Sequence, residues 1–270
     1  MIELFSRDIH LQNRRSSKGN QLKFEKNGIW YKADYLGYEA LAETVIAKLF
    51  RFSDLDPSEY VNYDLEEITY NGQVFHGCKS PDFTDGWQLI TLERLLEQQY
   101  GQGLNRIVYA IENHTERLKT MVDLVQRASN LQGFGPYMAK MLTVDSLFLN
   151  EDRHSHNLAV LTNEHGEYKL CPLFDHGAAL LSDTLLDYPM GRDPLELIPA
   201  ARPKTFCDSF AEQLDIAEKL YGQQIRFSFG YNDVKEILDR AIIYPAGVRQ
   251  RVLDIIMEQK RKYPYLFTEG

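Results

Sequence analysis

Strands first and helices later predict an α+β fold in two lobes. Three observations carry that expectation. Asn27-Gly28 and Asn71-Gly72 each separate two short alternating runs, a strong hairpin signal because both turn positions favour positive φ. After the loop at residues 81–86 apolar side chains recur at spacings of three and four, as amphipathic helices require. Within that helical part, residues 157–161 and 168–173 flank Asn163-Glu164-His165-Gly166 as a further short hairpin.

Taken in order, 21–26 and 29–33 are the strands of the first hairpin. A helix is expected over 38–50, where Leu41, Val45, Ile46, Leu49 and Phe50 share a face. Strands over 64–70 and 73–78 close the first lobe, assigned to residues 1–80. The second lobe, 81–270, carries helices over 89–100, 117–130 and 137–149. It also carries 206–221, with Phe206, Phe210 and Leu214, and 248–258, with Val248, Val252, Ile255 and Ile256.

The chain has 270 residues, 44% of them hydrophobic and 26% charged, which fits an ordinary globular protein. Thirty basic against 39 acidic residues leave a net charge of −9. That is a poor general phosphate binder, so direct nucleic-acid binding is not expected, although a local basic pocket stays open. No stretch approaches the ~20 apolar residues of a membrane span, and the start Met1-Ile2-Glu3-Leu4-Phe5 lacks the features of a signal peptide. Cys78, Cys171 and Cys207 are odd in number and form no C-x-x-C pair. They fit a reducing, cytoplasmic compartment without a disulfide framework.

The chemistry concentrates in Asn150-Glu151-Asp152-Arg153-His154-Ser155-His156-Asn157 and, after the short hairpin, in Leu173-Phe174-Asp175-His176-Gly177. Phosphoryl transfer needs one carboxylate to take or orient a hydroxyl proton, and oxygen ligands to hold Mg²⁺ against the phosphates. In protein kinases the catalytic-loop Asp and the metal-binding Asn stand five residues apart, as Asp152 and Asn157 do. The intervening hairpin returns the chain to Asp175, followed by His176-Gly177 where other kinases have Phe-Gly.

The pattern D-R-H-x-x-N followed by F-D resembles the HipA-like kinases of bacterial toxin–antitoxin systems, and more distantly the phosphatidylinositol 3-/4-kinases. Ser16-Ser17-Lys18-Gly19-Asn20-Gln21-Leu22-Lys23 is similar to the phosphate loop of the HipA-like kinases. Trp30-Tyr31-Lys32 resembles the strand that carries their ATP-binding lysine, and Leu36-Gly37-Tyr38-Glu39 the start of the next helix. The likeness runs from about residue 14 to about 180. It implies a bilobal protein-kinase-like fold using ATP and Mg²⁺, with a Ser or Thr hydroxyl of a protein, or of the chain itself, as acceptor. Ser17, Lys18, Gly19, Asn20, Gln21, Lys23, Lys32, Glu39 and Cys78 would contact the nucleotide or position the groups that do. Asp152 would be catalytic; Asn157 and Asp175 would hold the metal. Cys78 enters because 77–80, just past the expected last strand, is where an adenine-contacting hinge would lie. Ser16 and Ser17 are candidate autophosphorylation sites. The loop begins within the first twenty residues, so the extra N-terminal subdomain of full-length HipA is not expected, which leaves an antitoxin-like partner open.

Rival readings accompany each assignment. Lys23 and Lys26 compete with Lys32 for the phosphates. On a helical wheel of about 100° per residue Glu39 borders the buried stripe, which favours it over the more exposed Glu43 as the partner of Lys32. His154, His156 and His176 offer zinc-ligand types, but no convincing further ligands accompany them. A lipid or small-molecule kinase, or a nucleotide-binding pseudokinase, would share the same core.

Overall fold

The computed structural model describes residues 1–9, 21–155, 157–204 and 206–268. In chain order its elements begin with β1 (Ile2–Leu4), β2 (Lys23–Lys26), β3 (Ile29–Ala33), α1 (Glu39–Leu49), β4 (Asp64–Tyr70) and β5 (Gln73–Pro81). There follow β6 (Gln88–Thr91), α2 (Leu92–Tyr100), α3 (Leu104–Tyr109), α4 (His114–Ser129), α5 (Phe134–Phe148), β7 (Ala159–Thr162) and β8 (Tyr168–Leu170). The chain closes with α6 (Pro194–Leu197), α7 (Phe210–Tyr221), α8 (Tyr231–Asp239) and α9 (Ala246–Lys262).

Two compact units result. The first joins Met1–Phe83 to Phe174–Ala201 and Arg226–Gly270; the second joins Thr84–Leu173 to Arg202–Ile225. The expected break near residue 80 lies beside the Phe83 boundary. Two stretches of the expected second lobe, however, pack with the first unit.

The first unit contains a five-stranded sheet in the order β1-β4-β5-β3-β2. Both Asn-Gly pairs form its tight turns, with φ of 55° and 75° at Asn27 and Gly28 and of 51° and 75° at Asn71 and Gly72. Positive φ at both positions matches the right-handed twist of the flanking strands. β1, not expected from the sequence, lies parallel to β4 at the sheet edge. Leu4, Phe24, Tyr31, Ala33 and Ile68 form one apolar cluster, and Ala40, Ala47, Val61, Tyr63 and Cys78 another. Every residue of α1 from Ala40 to Ala47 is buried, so this helix has no solvent face. Just before it Gly37 bridges to Asp183, and a Cβ at Gly37 would lie 2.1 Å from the Ser182 carbonyl oxygen. Only glycine fits there.

The second unit packs α2, α3, α4, α5 and α7 together, with a three-stranded sheet in the order β6-β7-β8. The helix expected over 89–100 starts later, because 88–91 pair with β7 as a strand and Thr91 accepts the Arg94 N–H as N-cap. Likewise the helix expected from 206 begins at Phe210, where the Ser209 hydroxyl accepts the Glu212 N–H. Such a cap contributes about 1 kcal/mol. No helix among the described residues is long and apolar enough to cross a membrane.

Candidate active site

In the first unit, β3, α1 and the segment after β8 bring three charged side chains together. Lys32 alternates toward α1 from β3. Its ammonium donates to the Glu43 carboxylate, and it donates to Asp175 Oδ1 at 2.7 Å. Glu43 is almost fully buried, and its second oxygen accepts the His176 N–H at 2.8 Å. One anion thus ties the strand lysine to the backbone beside Asp175. The ammonium also lies 5.2 Å from the ring centroid of Tyr63, a cation–π distance.

The neighbours of Asp175 are anchored too. Phe174 packs on Phe83 with ring centroids 5.2 Å apart, and buried His176 meets Phe50 edge-on at 5.6 Å. Asp175 itself takes a left-handed backbone with φ of 61°, a conformation Asp tolerates better than most residues. Leu180 and Leu181 follow in the same region at φ 55°, although both side chains are buried. Two consecutive leucines there are strained, and the Tyr38 hydroxyl, donating to the Leu180 carbonyl at 2.7 Å, helps hold them.

Burial by itself would lower the pKa of Lys32. The carboxylates of Asp175 and Glu43, with smaller help from Tyr63 and Cys78, outweigh it and hold the ammonium well above its ordinary range. Glu43 is pushed up by burial, and Asp175 adds to that, against the pull of Lys32. One cation facing two carboxylates leaves an excess of negative charge.

Glu39 does something else. Its carboxylate folds back to accept the N–H groups of Leu36 at 2.6 Å, Gly37 at 3.1 Å and Tyr35 at 3.3 Å. The expected Lys32–Glu39 pair is therefore corrected to Lys32–Glu43. Glu39 braces the 35–37 segment that leads into α1, satisfying three backbone N–H groups ahead of the helix.

In the second unit the loop after α5 is built around a buried ion pair. Arg153 donates from Nε to Asp145 Oδ2 at 2.9 Å and from a terminal nitrogen to Oδ1 at 3.0 Å. Asn150 adds a bond to the same carboxylate at 2.8 Å, and Arg153 reaches the Asn157 carbonyl at 3.3 Å. The Asn157 amide nitrogen donates to the Asp152 carbonyl at 2.8 Å, so the two residues singled out by spacing are bonded directly. Lys204 meets Asp152 Oδ1 at 3.0 Å, and His154 Nε2 lies 3.7 Å from Oδ2. Asp145 and Lys204 escaped the sequence reading. Asp145 lies among buried residues of a largely apolar helix, and Lys204 lies 52 positions from Asp152.

The remaining expectations fare unevenly. Ser16, Ser17, Lys18, Gly19, Asn20 and His156 lie outside the described residues. Gln21 precedes β2, Lys23 opens it, and Lys26 closes it, donating to the Glu3 carbonyl at 3.2 Å. The hinge placement of Cys78 is corrected. β5 continues to Pro81, Cys78 pairs with both Lys32 and Leu65 inside the sheet, and its side chain is fully buried beside Ala40, Ala47, Val61 and Tyr63.

In the first unit Asp175 offers a hard carboxylate oxygen of the type Mg²⁺ takes, and the surplus anion around Lys32 suits a cation; in the second unit Asn157 carries an amide oxygen of the same hard type. His154 faces the Asp152 carboxylate, and the His176 ring packs edge-on against Phe50. Elsewhere among the described residues His114, Cys207 and Glu212 approach within 4.8 Å of one another. His114 Nδ1 is already bonded to Glu212 at 2.6 Å, and burial, with Glu212 close by, pushes the Cys207 thiol up to about 12. That group is a histidine–carboxylate pair beside a protonated thiol.

No protein-family model matches the sequence, and no curated protein matches it. Among solved structures, the proinflammatory kinase CtkA of Helicobacter pylori is similar, with a TM-score of 0.61 at 15% identity over 97% of this chain and 94% of that one. At this identity the likeness speaks for architecture, and the chain has the mixed α+β, kinase-like fold.

Proposed function

We propose that the protein is an ATP- and Mg²⁺-dependent phosphotransferase acting on a Ser or Thr hydroxyl of a protein or of itself. The observation that carries this reading is the Lys32–Glu43–Asp175 cluster in a chain of kinase-like fold. A strand lysine held by a helix glutamate, beside a loop aspartate, is the arrangement kinases use to hold phosphates and metal.

In this reading Lys32 places a fixed positive charge on the nucleotide phosphates, and Glu43 keeps its side chain extended toward them. Asp175 and Asn157 would supply oxygen ligands to Mg²⁺, which when bound would neutralise charge on the phosphate oxygens. Asp152 orients the acceptor hydroxyl and takes its proton. The new oxygen–phosphorus bond then forms as the bond to the ADP oxygen breaks. The Arg153–Asp145 pair keeps the loop in shape while this happens.

The test is transfer of label from γ-labelled ATP with Mg²⁺, using the chain alone, a protein mixture and lipid vesicles, with Asp152→Asn as control. Labelled phosphoserine or phosphothreonine, lost in the variant, supports the reading. Label appearing only in lipid would replace the acceptor class, and ATP binding without transfer in any arm would make the chain a pseudokinase.

A further inference from the structure

Within the second unit Arg202, Lys204 and Phe206 are each held through a backbone group. The Arg202 N–H donates to Glu151 Oε1 at 3.0 Å, and Pro203 restricts the next φ. The Lys204 carbonyl accepts the Tyr109 hydroxyl at 3.1 Å, and the Phe206 carbonyl accepts from Arg117 at 3.4 Å. This anchored backbone carries the Lys204 ammonium to Asp152 Oδ1. The Lys204 side chain is 35% exposed and that of Asp152 12%. A lysine free to wander on a surface gains little from such a pair, because ordering its long side chain offsets the attraction. Here the backbone is already fixed, and the carboxylate it meets is the one read above as the proton acceptor.

We infer that Lys204 is a positioning residue for phosphoryl transfer, holding the Asp152 carboxylate through one oxygen so that it meets the acceptor hydroxyl in a single orientation. The inference rests on the role given to Asp152. Lys204 acts through that carboxylate, so its loss lowers the rate of transfer while leaving nucleotide binding to other residues.

The experiment uses the full chain with Lys204→Met, Lys204→Arg, Asp152→Asn and the Met/Asn double variant. For each, Mg·ATP affinity is measured by calorimetry, and kcat and KM by autophosphorylation or ATP hydrolysis, beside the thermal midpoint. Lys204→Met should lower kcat by about tenfold or more, with ATP affinity within about twofold. Lys204→Arg should recover much of that loss, and the double variant should be no slower than Asp152→Asn alone, because the two residues act as a unit. Unchanged or raised kcat in Lys204→Met overturns the inference, the latter by making Lys204 an obstruction. Additive losses in the double variant, or a kcat loss that Arg does not recover, overturn it too. Wild-type activity that survives Asp152→Asn overturns instead the role of Asp152, and a wild type without turnover overturns both.

Discussion

Lys32 and Asp175 stand 143 positions apart in the chain and meet at 2.7 Å, Nζ to Oδ1. Glu43 bonds the same ammonium and also accepts the His176 N–H, so a strand, a helix and a loop are locked at one point. Lys32→Met and Glu43→Gln should each lower Mg·ATP affinity and turnover by about tenfold or more. Glu39→Gln should leave both within about twofold and lower only the melting temperature, since Glu39 bonds backbone N–H groups. Calorimetry and turnover on the three variants check this. A turnover loss confined to Glu39→Gln would return the kinase-type role to that residue.

Asp175→Ala should weaken Mg·ATP binding far more than binding of ATP in the presence of a chelator. The carboxylate is proposed as a metal ligand, and its removal also relieves the crowding of negative charge around Lys32. Titrations with and without Mg²⁺ decide the point. Equal losses would make Asp175 a partner of Lys32 and nothing more.

The pair Arg153–Asp145 has side-chain exposures of 4% and 0%. Asp145→Ala strands a buried guanidinium and should cost about 3–5 kcal/mol. Adding Arg153→Met should restore part of that stability, because the uncompensated charge is gone. Urea unfolding of the single and double variants measures both. Stabilities that fall additively would mean the bidentate pair contributes as two independent residues.

Asp34 should make stability fall as pH rises. Burial raises its pKa from 3.8 to about 8, against bonds from the Tyr244 hydroxyl and the Ala40 N–H and with Glu39 close by. A carboxyl that holds its proton more tightly folded than unfolded contributes fully below about pH 3.8, and that contribution is lost by about pH 8. The thermal midpoint of the wild type should therefore drop more steeply across that window than that of Asp34→Asn. Parallel curves for the two proteins would remove Asp34 as the source.

Local chemistry was legible where it is local. The Asn-Gly turns declare the two hairpins, and the Asp152–Asn157 spacing finds two residues that bond each other. The Lys32 partner was misjudged for a definite reason. A helical wheel ranks positions by contrast between a wet and a dry face, and α1 is buried from Ala40 to Ala47 without such contrast. Glu43, given the exposed side of that wheel, is in fact at the centre of the cluster. β6 was absorbed into the neighbouring helix because its identity as a strand comes from β7, far along the chain. Lys204 and Asp145 carry no motif, and only tertiary contact reveals their partners.

The first unit is sewn from three separate stretches of chain, the last beginning at Arg226. During synthesis the early sheet is therefore made well before α9, which helps to complete its unit, has left the ribosome. Pairing Lys32 with Asp175 likewise waits for a loop of some 140 residues to close, an entropic step that slows folding. A fragment ending near residue 83 would hold the sheet and α1 but leave Glu43 buried without the backbone that caps it. Such a fragment should be aggregation-prone when expressed alone. Co-expression with the remaining 84–270 piece should restore it, making complementation of split halves a direct readout of when this cluster assembles.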